Sequence, residues 1–228
     1  MKQVVTRGIV LARTDFGEAD RILTILTPDQ GKIRAIAKGV RKVKSKLAGG
    51  IELFSVSHIS FIHGKSDIYT LTSTRLDKHY GHIVKNLDRT MFAYEVLKTI
   101  NRNTEDNADP EYFDLLNVTL QALDDQNIEQ AIIQFWLNLQ LLKLAGHEPN
   151  LQSDTDGRKL AADARYNFDI AKMTFVNSPN GSYNQQHIKL LRLGLALDSP
   201  AALAKIKDLD LVLPSALQLS KSMLKQFI

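Results

Sequence analysis

The sequence contains no cysteine. It therefore forms no disulfide, offers no thiolate to zinc and has no thiol nucleophile. It also lacks any run of about eighteen apolar residues, which argues against a transmembrane helix. At the N-terminus, MKQVVTRGIVLARTD interrupts any signal-peptide core with Thr6, Arg7 and Arg13. A cytoplasmic protein with no membrane partner is expected. Neither a G-x-x-x-x-G-K-[ST] phosphate loop nor a G-x-S-x-G elbow occurs. His79 and His82 are spaced to share a helix face, but they lack the further ligands a metal site needs. DTDG at 154–157 opens like a calcium loop without its later ligands, and reads as a polar turn. Glu18 and Asp20, in GEAD, read as turn and cap residues rather than an acid–base pair. The expectation is a protein that is not an enzyme, with no metal, no cofactor and no small-molecule substrate.

What is present is positive charge, unevenly placed. Residues 1–80 carry fourteen Lys/Arg against seven Asp/Glu, while residues 81–228 carry fifteen against eighteen. Two readings fit: a basic module that meets nucleic acid, or uneven surface charge with no partner. The sharpest concentration is KGVRKVKSKLAGG at 38–50, where Lys38, Arg41, Lys42, Lys44 and Lys46 occur with no acid among them.

The pattern around that stretch is that of strands. QVVTRGIVLAR, RILTILT, KIRAIAKGV, IELFSVSHISFI and DIYTLTST are short, rich in Val, Ile and Thr, and separated by turn residues. In the third, Ile33, Ala35 and Ala37 alternate with Lys32, Arg34 and Lys38, giving one apolar and one cationic face. Five such strands in about seventy residues suit a small closed barrel, with the OB-fold the natural candidate. Lys65 falls in a further connection, and Phe16, Phe54, Phe61, Tyr69 and Tyr80 are interleaved with the charges. OB-folds run a single strand along a positive groove and stack its bases on exposed rings. Most of these rings are nevertheless expected in the core, Phe61 on one strand face with Ile51, Leu53 and Ile59.

After Tyr80 the period becomes helical. Ile83, Leu87, Met91, Tyr94 and Leu97 mark one stripe of a long helix. A second opens with Asp109 as cap and Pro110 at its first position, its stripe being Phe113, Leu116, Leu120 and Leu123. IEQAIIQFWLNLQLLKLAG is apolar on nearly every face, which predicts a central helix ended by Gly146. Helical patterning returns at 184–197, at 200–207 and from Pro214 onward. The expected fold class is α+β: an all-β N-terminal OB-fold barrel at 1–79, then a mainly α-helical domain at 80–228. Residues 147–183 lose periodicity and are expected to form an irregular, cysteine-free insert.

FGEADRILTILT, GKIRAIAKGVRK with KSKLAGGIELF, and GKSDIYTLTS follow one another in order and spacing over about seventy residues. Together they resemble the N-terminal domain of the bacterial RecO family of recombination mediators in DNA repair. LLKLAGHEPNLQ, closing the central helices, is similar in layout but weaker in detail. The resemblance implies a non-catalytic protein that binds single- and double-stranded DNA and anneals complementary strands. It also implies that, with RecR, it helps load RecA onto strands coated by single-stranded-DNA-binding protein, whose C-terminal tail is a further partner. A nucleoid-associated place in the cytoplasm follows. Many family members carry a four-cysteine zinc module after the central helices. Here EPNLQSDTDG and FVNSPNGSYNQQH put polar residues in those places. Zinc is therefore not expected, and the segment either packs around Phe168, Met173 and Phe175 or stays a looser loop.

In that setting the basic run joins the third and fourth strands, where an OB-fold often carries a helix, and Gly49-Gly50 would let the chain turn sharply. The expected DNA-binding residues are Lys32, Arg34, Lys38, Arg41, Lys42, Lys44, Lys46 and Lys65. Two other readings stay open. One is an RNA-binding OB protein, because stacking and phosphate contacts do not separate the two polymers. The other is a scaffold whose helical half recruits protein partners.

Overall fold

Alternation of Val, Ile and Thr with polar residues produces five N-terminal strands, β1 (Gln3–Phe16), β2 (Asp20–Thr27), β3 (Gly31–Ala37), β4 (Ser55–Ile62) and β5 (Tyr69–His79). The structure is a computed structural model and describes residues 3–63, 68–104 and 109–227. Residues 1–125 and 126–228 form two compact units.

In the first unit the strands close into a barrel in the order β1-β2-β3-β5-β4. β1 is long because it serves two neighbours, pairing with β4 from Gln3 to Ile9 and with β2 from Ile9 to Phe16. All pairings are antiparallel except β3 with β5, which are parallel through Ala35↔Tyr69 and Ile36↔Thr70. Closure removes the exposed edges an open sheet would leave. The interior holds Val10, Leu23, Ile25, Ile33, Ala35, Ala37, Val40, Ile51, Ile59, Phe61 and Leu71. The α+β class and the OB-like N-terminal domain expected from the sequence are what the chain forms. One strand end differs. Residues 51–54 bend rather than extend, with Phe54 at φ 57°, so β4 begins only at Ser55. Ile51 is still buried, but as a plug from outside the strand.

Two helices complete this unit, α1 (Leu87–Asn103) and α2 (Pro110–Asp124). The stripe on α2 lies where its period puts it, with Phe113, Leu116, Leu120 and Leu123 fully buried. On α1 the expected stripe holds only in part, Ile83 just before the helix and Leu97 within it being buried. Leu87, Met91 and Tyr94 are exposed, whereas Arg89, Ala93, Val96, Leu97 and Ile100 are buried. The reason is Arg89. Its Nη1 donates to the carbonyls of Leu123 (2.8 Å) and Asp125 (2.9 Å) at the C-terminal end of α2. A guanidinium satisfying helix-end carbonyls puts a charged residue on the buried face, where a search for apolar periodicity does not look.

The second unit is built around α3 (Gln130–Leu144), whose Ile133, Phe135, Trp136, Leu139 and Leu142 are buried. It packs against α4 (Gln185–Ala196), the short α5 (Pro200–Leu203) and α6 (Leu213–Phe227). Polar ties fix the register: Trp136 Nε1 donates to Leu197 O (2.7 Å) and Asn138 Nδ2 to Ser220 Oγ (3.0 Å).

The region expected to be irregular contains a small sheet instead. Its strands are β6 (Asn150–Asp154), β7 (Tyr166–Asp169) and β8 (Thr174–Asn177), in the order β6-β8-β7. Phe175 is its centre, with Tyr166, Phe168 and Tyr183 ringed around it at 5.8, 5.0 and 6.1 Å between centroids. The DTDG segment is a self-closed turn, Asp154 Oδ1 accepting from the amides of Asp156 (3.0 Å) and Arg158 (2.9 Å). Among the described residues no helix is long and apolar enough to cross a membrane. Nor does any group of three or more His, Asp or Glu there stand ready to hold a metal ion. His79 ends β5 while His82 is tied through its amide to Asp124 Oδ1 (2.6 Å), so the two share no helix face.

A buried histidine gives this unit an acid-sensitive joint. His187, on the first turn of α4, lies between Asn184, whose amide donates to Nδ1 (3.3 Å), and Ser215 Oγ, 2.7 Å from Nε2. Burial, helped by the charge of Arg165, lowers its pKa from the ordinary value. The neutral ring is thus favoured in the folded state. The stabilisation is complete above the unfolded value of about 6.5, and it is lost as pH falls from there through the lowered folded value. We expect the stability gap between wild type and His187→Gln to shrink from pH 7 to pH 5 in urea titrations. A gap that is constant or widens would contradict this.

Candidate nucleic-acid interface

The basic run leaves the barrel at the end of β3 and is fastened at once to the β1–β2 hairpin. Gly39 takes a positive φ of 64°, a conformation open to glycine at little cost, and its amide donates to Asp20 Oδ1 (2.7 Å). Two residues on, the Arg41 amide donates to Ala19 O (2.9 Å). Asp20 is therefore the anchor of the basic connection, a role that the GEAD motif alone did not reveal. Val40 between these ties is buried in the barrel core. Beyond it the chain makes two tight turns, Lys42 N to Gly39 O (3.1 Å) and Ser45 N to Lys42 O (2.9 Å).

These fixed points leave the charged side chains outside. Lys38, Arg41, Lys42, Lys44 and Lys46 are all exposed, as is Arg34 on the outer face of β3. In place of the helix common at this connection there is one 3-10 turn, Ala48–Gly50. The double glycine does not serve a positive-φ turn. Gly50 is needed for close approach: a Cβ there would sit 2.4 Å from the side chain of Thr74 on β5. Thr74 Oγ1 also donates to Leu47 O (3.1 Å), so the C-terminal end of the basic run is pinned to β5 as its start is pinned to β2.

Two of the expected residues fall outside this surface. Lys32 is engaged within the protein, its ammonium donating to Asn101 O (2.9 Å) and Thr104 O at the end of α1. A cation at a helix C-terminus satisfies orphan carbonyls, which withdraws it from the exposed set. Lys65 lies outside the described residues.

The structure adds residues that sequence reasoning missed. Asp15 and Arg21 are cross-strand partners on β1 and β2, and Arg21 is in turn opposite Ala37 on β3. Asp15 Oδ1 receives a bond from Arg21 Nε at 2.8 Å, and Oδ2 lies 3.6 Å from Arg41 Nε. The Arg21 hydrogen bond, reinforced by the charges of Arg41 and Arg13, holds the Asp15 carboxyl below the usual aspartate range. Arg13 itself pairs with Glu52 at 3.0 Å. Arg21 was legible only as a strand residue, because the register that sets it beside Arg41 is tertiary. Of the interleaved rings, Phe54, Phe61 and Tyr80 are buried, and Tyr69 is half-buried against Phe61 (4.8 Å) and His63 (5.0 Å). Phe16, at the hairpin end beside Asp15, is the exposed ring.

Comparison with known proteins gives the same outline. The family model "Recombination protein O N terminal" matches residues 1–80, and "Recombination protein O C terminal" matches residues 84–212. A DNA repair protein RecO of Dehalococcoides mccartyi is 37% identical over 163 residues, 71% of this chain and 64% of that protein. Another of the same name, from Desulfatibacillum aliphaticivorans, is 32% identical over 154 residues, 66% of this chain and 60% of its own length. A third, from a Thermoanaerobacter species, is 32% identical over 154 residues, 67% of this chain and 62% of its own. The chain thus spans somewhat under two thirds of the length of these relatives. With both models matched in order, the second across more than half of its length, the chain belongs to the recombination protein O family.

Proposed function

We propose that this chain is a non-catalytic DNA-binding protein of DNA repair. In this reading residues 1–79 form the DNA-binding domain, and Arg34, Lys38, Arg41, Lys42, Lys44 and Lys46 meet the phosphates of single- and double-stranded DNA. One observation carries it. An acid-free cationic run is pinned to the barrel at both ends, Gly39 to Asp20 and Leu47 to Thr74, with its charged side chains left exposed to solvent. Phosphate contacts of this kind give affinity without reading sequence. Neutralising charge on two complementary strands at once also lowers their repulsion, which is how a basic surface promotes annealing. Exposed Phe16 offers a ring on which an unpaired base could stack. The family membership, and relatives that bear the name DNA repair protein, support the wider role. That role is annealing and, together with RecR, loading RecA onto strands coated by single-stranded-DNA-binding protein.

The test uses the full chain with a labelled oligo-dT, its RNA counterpart, and a pair of complementary DNA strands with and without single-stranded-DNA-binding protein. Binding to DNA and faster pairing of the complements are expected. No DNA binding at low salt would overturn the proposal, and stronger binding to RNA would favour an RNA-binding protein.

A further inference from the structure

Arg21 and Arg41 come from different segments yet converge on the two oxygens of one carboxylate, Asp15. Each guanidinium reaches it through its Nε edge. Arg41 Nη1 adds a long bond to Gly17 O (3.4 Å), while the Nη atoms of Arg21 have no protein partner among the described residues. The cluster is open to solvent, the Asp15 side chain being 54% exposed, Arg21 30% and Arg41 37%. Arginine's planar fork binds carboxylate and phosphate alike, by paired N–H donors to two oxygens. Here Asp15 takes one Nε contact from each arginine, 2.8 Å from Arg21 and 3.6 Å from Arg41, and so occupies a place that an oxygen pair of a phosphodiester can take.

We infer that Arg21 and Arg41 form a two-arginine phosphate site of the DNA surface, which Asp15 occupies in the free protein and a backbone phosphate takes over in the complex. This rests on the DNA-binding reading above. Asp15 pairs with Arg41 of the strongly cationic connection, so a strand that settles along Lys38–Lys46 brings phosphates toward the same two guanidiniums. Exposed ion pairs are weak enough to exchange, and a phosphodiester is a permanent anion. The exchange keeps charge balanced: two arginines trade one anion for another, and Asp15 turns to water. Asp15 thereby lowers affinity for bare strands and keeps the two arginines extended until DNA arrives.

Long-range charge alone would also make removal of any acid favourable, so the test needs a matched control. Glu18 is exposed on the same hairpin and makes no ion pair among the described residues. Oligo-dT affinity is measured at about 0.1 M salt, where charges further apart than about 10 Å are largely screened. The variants are Asp15→Asn, Glu18→Gln, the double variant Arg21→Gln/Arg41→Gln, and that double variant with each acid neutralised. We expect Asp15→Asn to tighten binding about three- to ten-fold, the worth of one or two exposed ion pairs no longer broken on binding. Glu18→Gln should change it less than two-fold, and without the arginines the two acid variants should give the same small effect. Equal gains from Asp15→Asn and Glu18→Gln in the intact protein would overturn the inference, as would weaker binding by Asp15→Asn with its melting curve unchanged. Should the wild type fail to bind DNA at all, the DNA-binding reading falls with it. Binding with equal gains leaves that reading standing and removes this one.

Discussion

Phe175→Ala is expected to lose about 3–5 kcal/mol of stability, the usual cost of truncating a buried phenylalanine whose surroundings close only partly. Phe175 is fully buried, and three further rings, Tyr166, Phe168 and Tyr183, pack edge-on to it within 6.1 Å. Its own strand, β8, is the middle of the three, so the pairings β6–β8 and β7–β8 both depend on where this side chain sits. The segment around it, residues 147–183, has no thiolate with which to hold a metal. The ring cluster therefore carries the role of a cross-link. Phe168→Ala should cost less, because that side chain is only partly buried. Urea titrations of both variants, with hydrogen exchange read at residues 150–177, give the measurement. A loss below about 1 kcal/mol for Phe175→Ala would mean that the sheet is held by something other than this core.

That cluster also shows how far the sequence could be read. Phe168, Met173 and Phe175 were visible as an alternative to metal, but strands of four and five residues separated by turns leave no period to detect. The barrel was legible because its strands alternate, and β3 buries Ile33, Ala35 and Ala37 as the alternation requires. Helix α2 was legible because its buried face is apolar apart from Thr119, whose hydroxyl donates back to Leu115 O. On α1 the buried face includes Arg89, and the apolar residues Leu87, Met91 and Tyr94 point to solvent, so a rule that apolar means inside placed only Leu97 of the expected helix stripe correctly. At the candidate site, sequence proximity revealed the run 38–46, which is local. It revealed neither Lys32's engagement with the end of α1 nor the meeting of Arg21 with Arg41. The first depends on where the end of α1 meets β3, the second on which strands lie side by side.

The second large effect concerns the run itself, where Lys38, Arg41, Lys42, Lys44 and Lys46 are changed together to alanine. Binding to single-stranded DNA releases counterions, so the logarithm of the binding constant falls with the logarithm of salt at about −0.7 per phosphate contact. Five engaged side chains predict a slope flatter by about 3.5, and two engaged side chains only about 1.4. The fold should persist. All five side chains are exposed, and the ties that shape the connection run through backbone groups of Gly39, Arg41 and Leu47, which alanine leaves in place. Each exposed change is expected to alter stability by no more than about 0.5 kcal/mol. The loss of affinity should be similar for oligo-dT and for mixed sequence, since phosphates carry no base identity.

Whether the 38–46 run binds DNA phosphates is decided by a salt titration of oligo-dT binding, wild type beside the five-fold alanine variant, with melting curves on both. The expected slope is flatter by about 1.4 to 3.5, with folding intact. An unchanged slope in a folded variant would contradict it and move the DNA-binding surface off the β3–β4 connection.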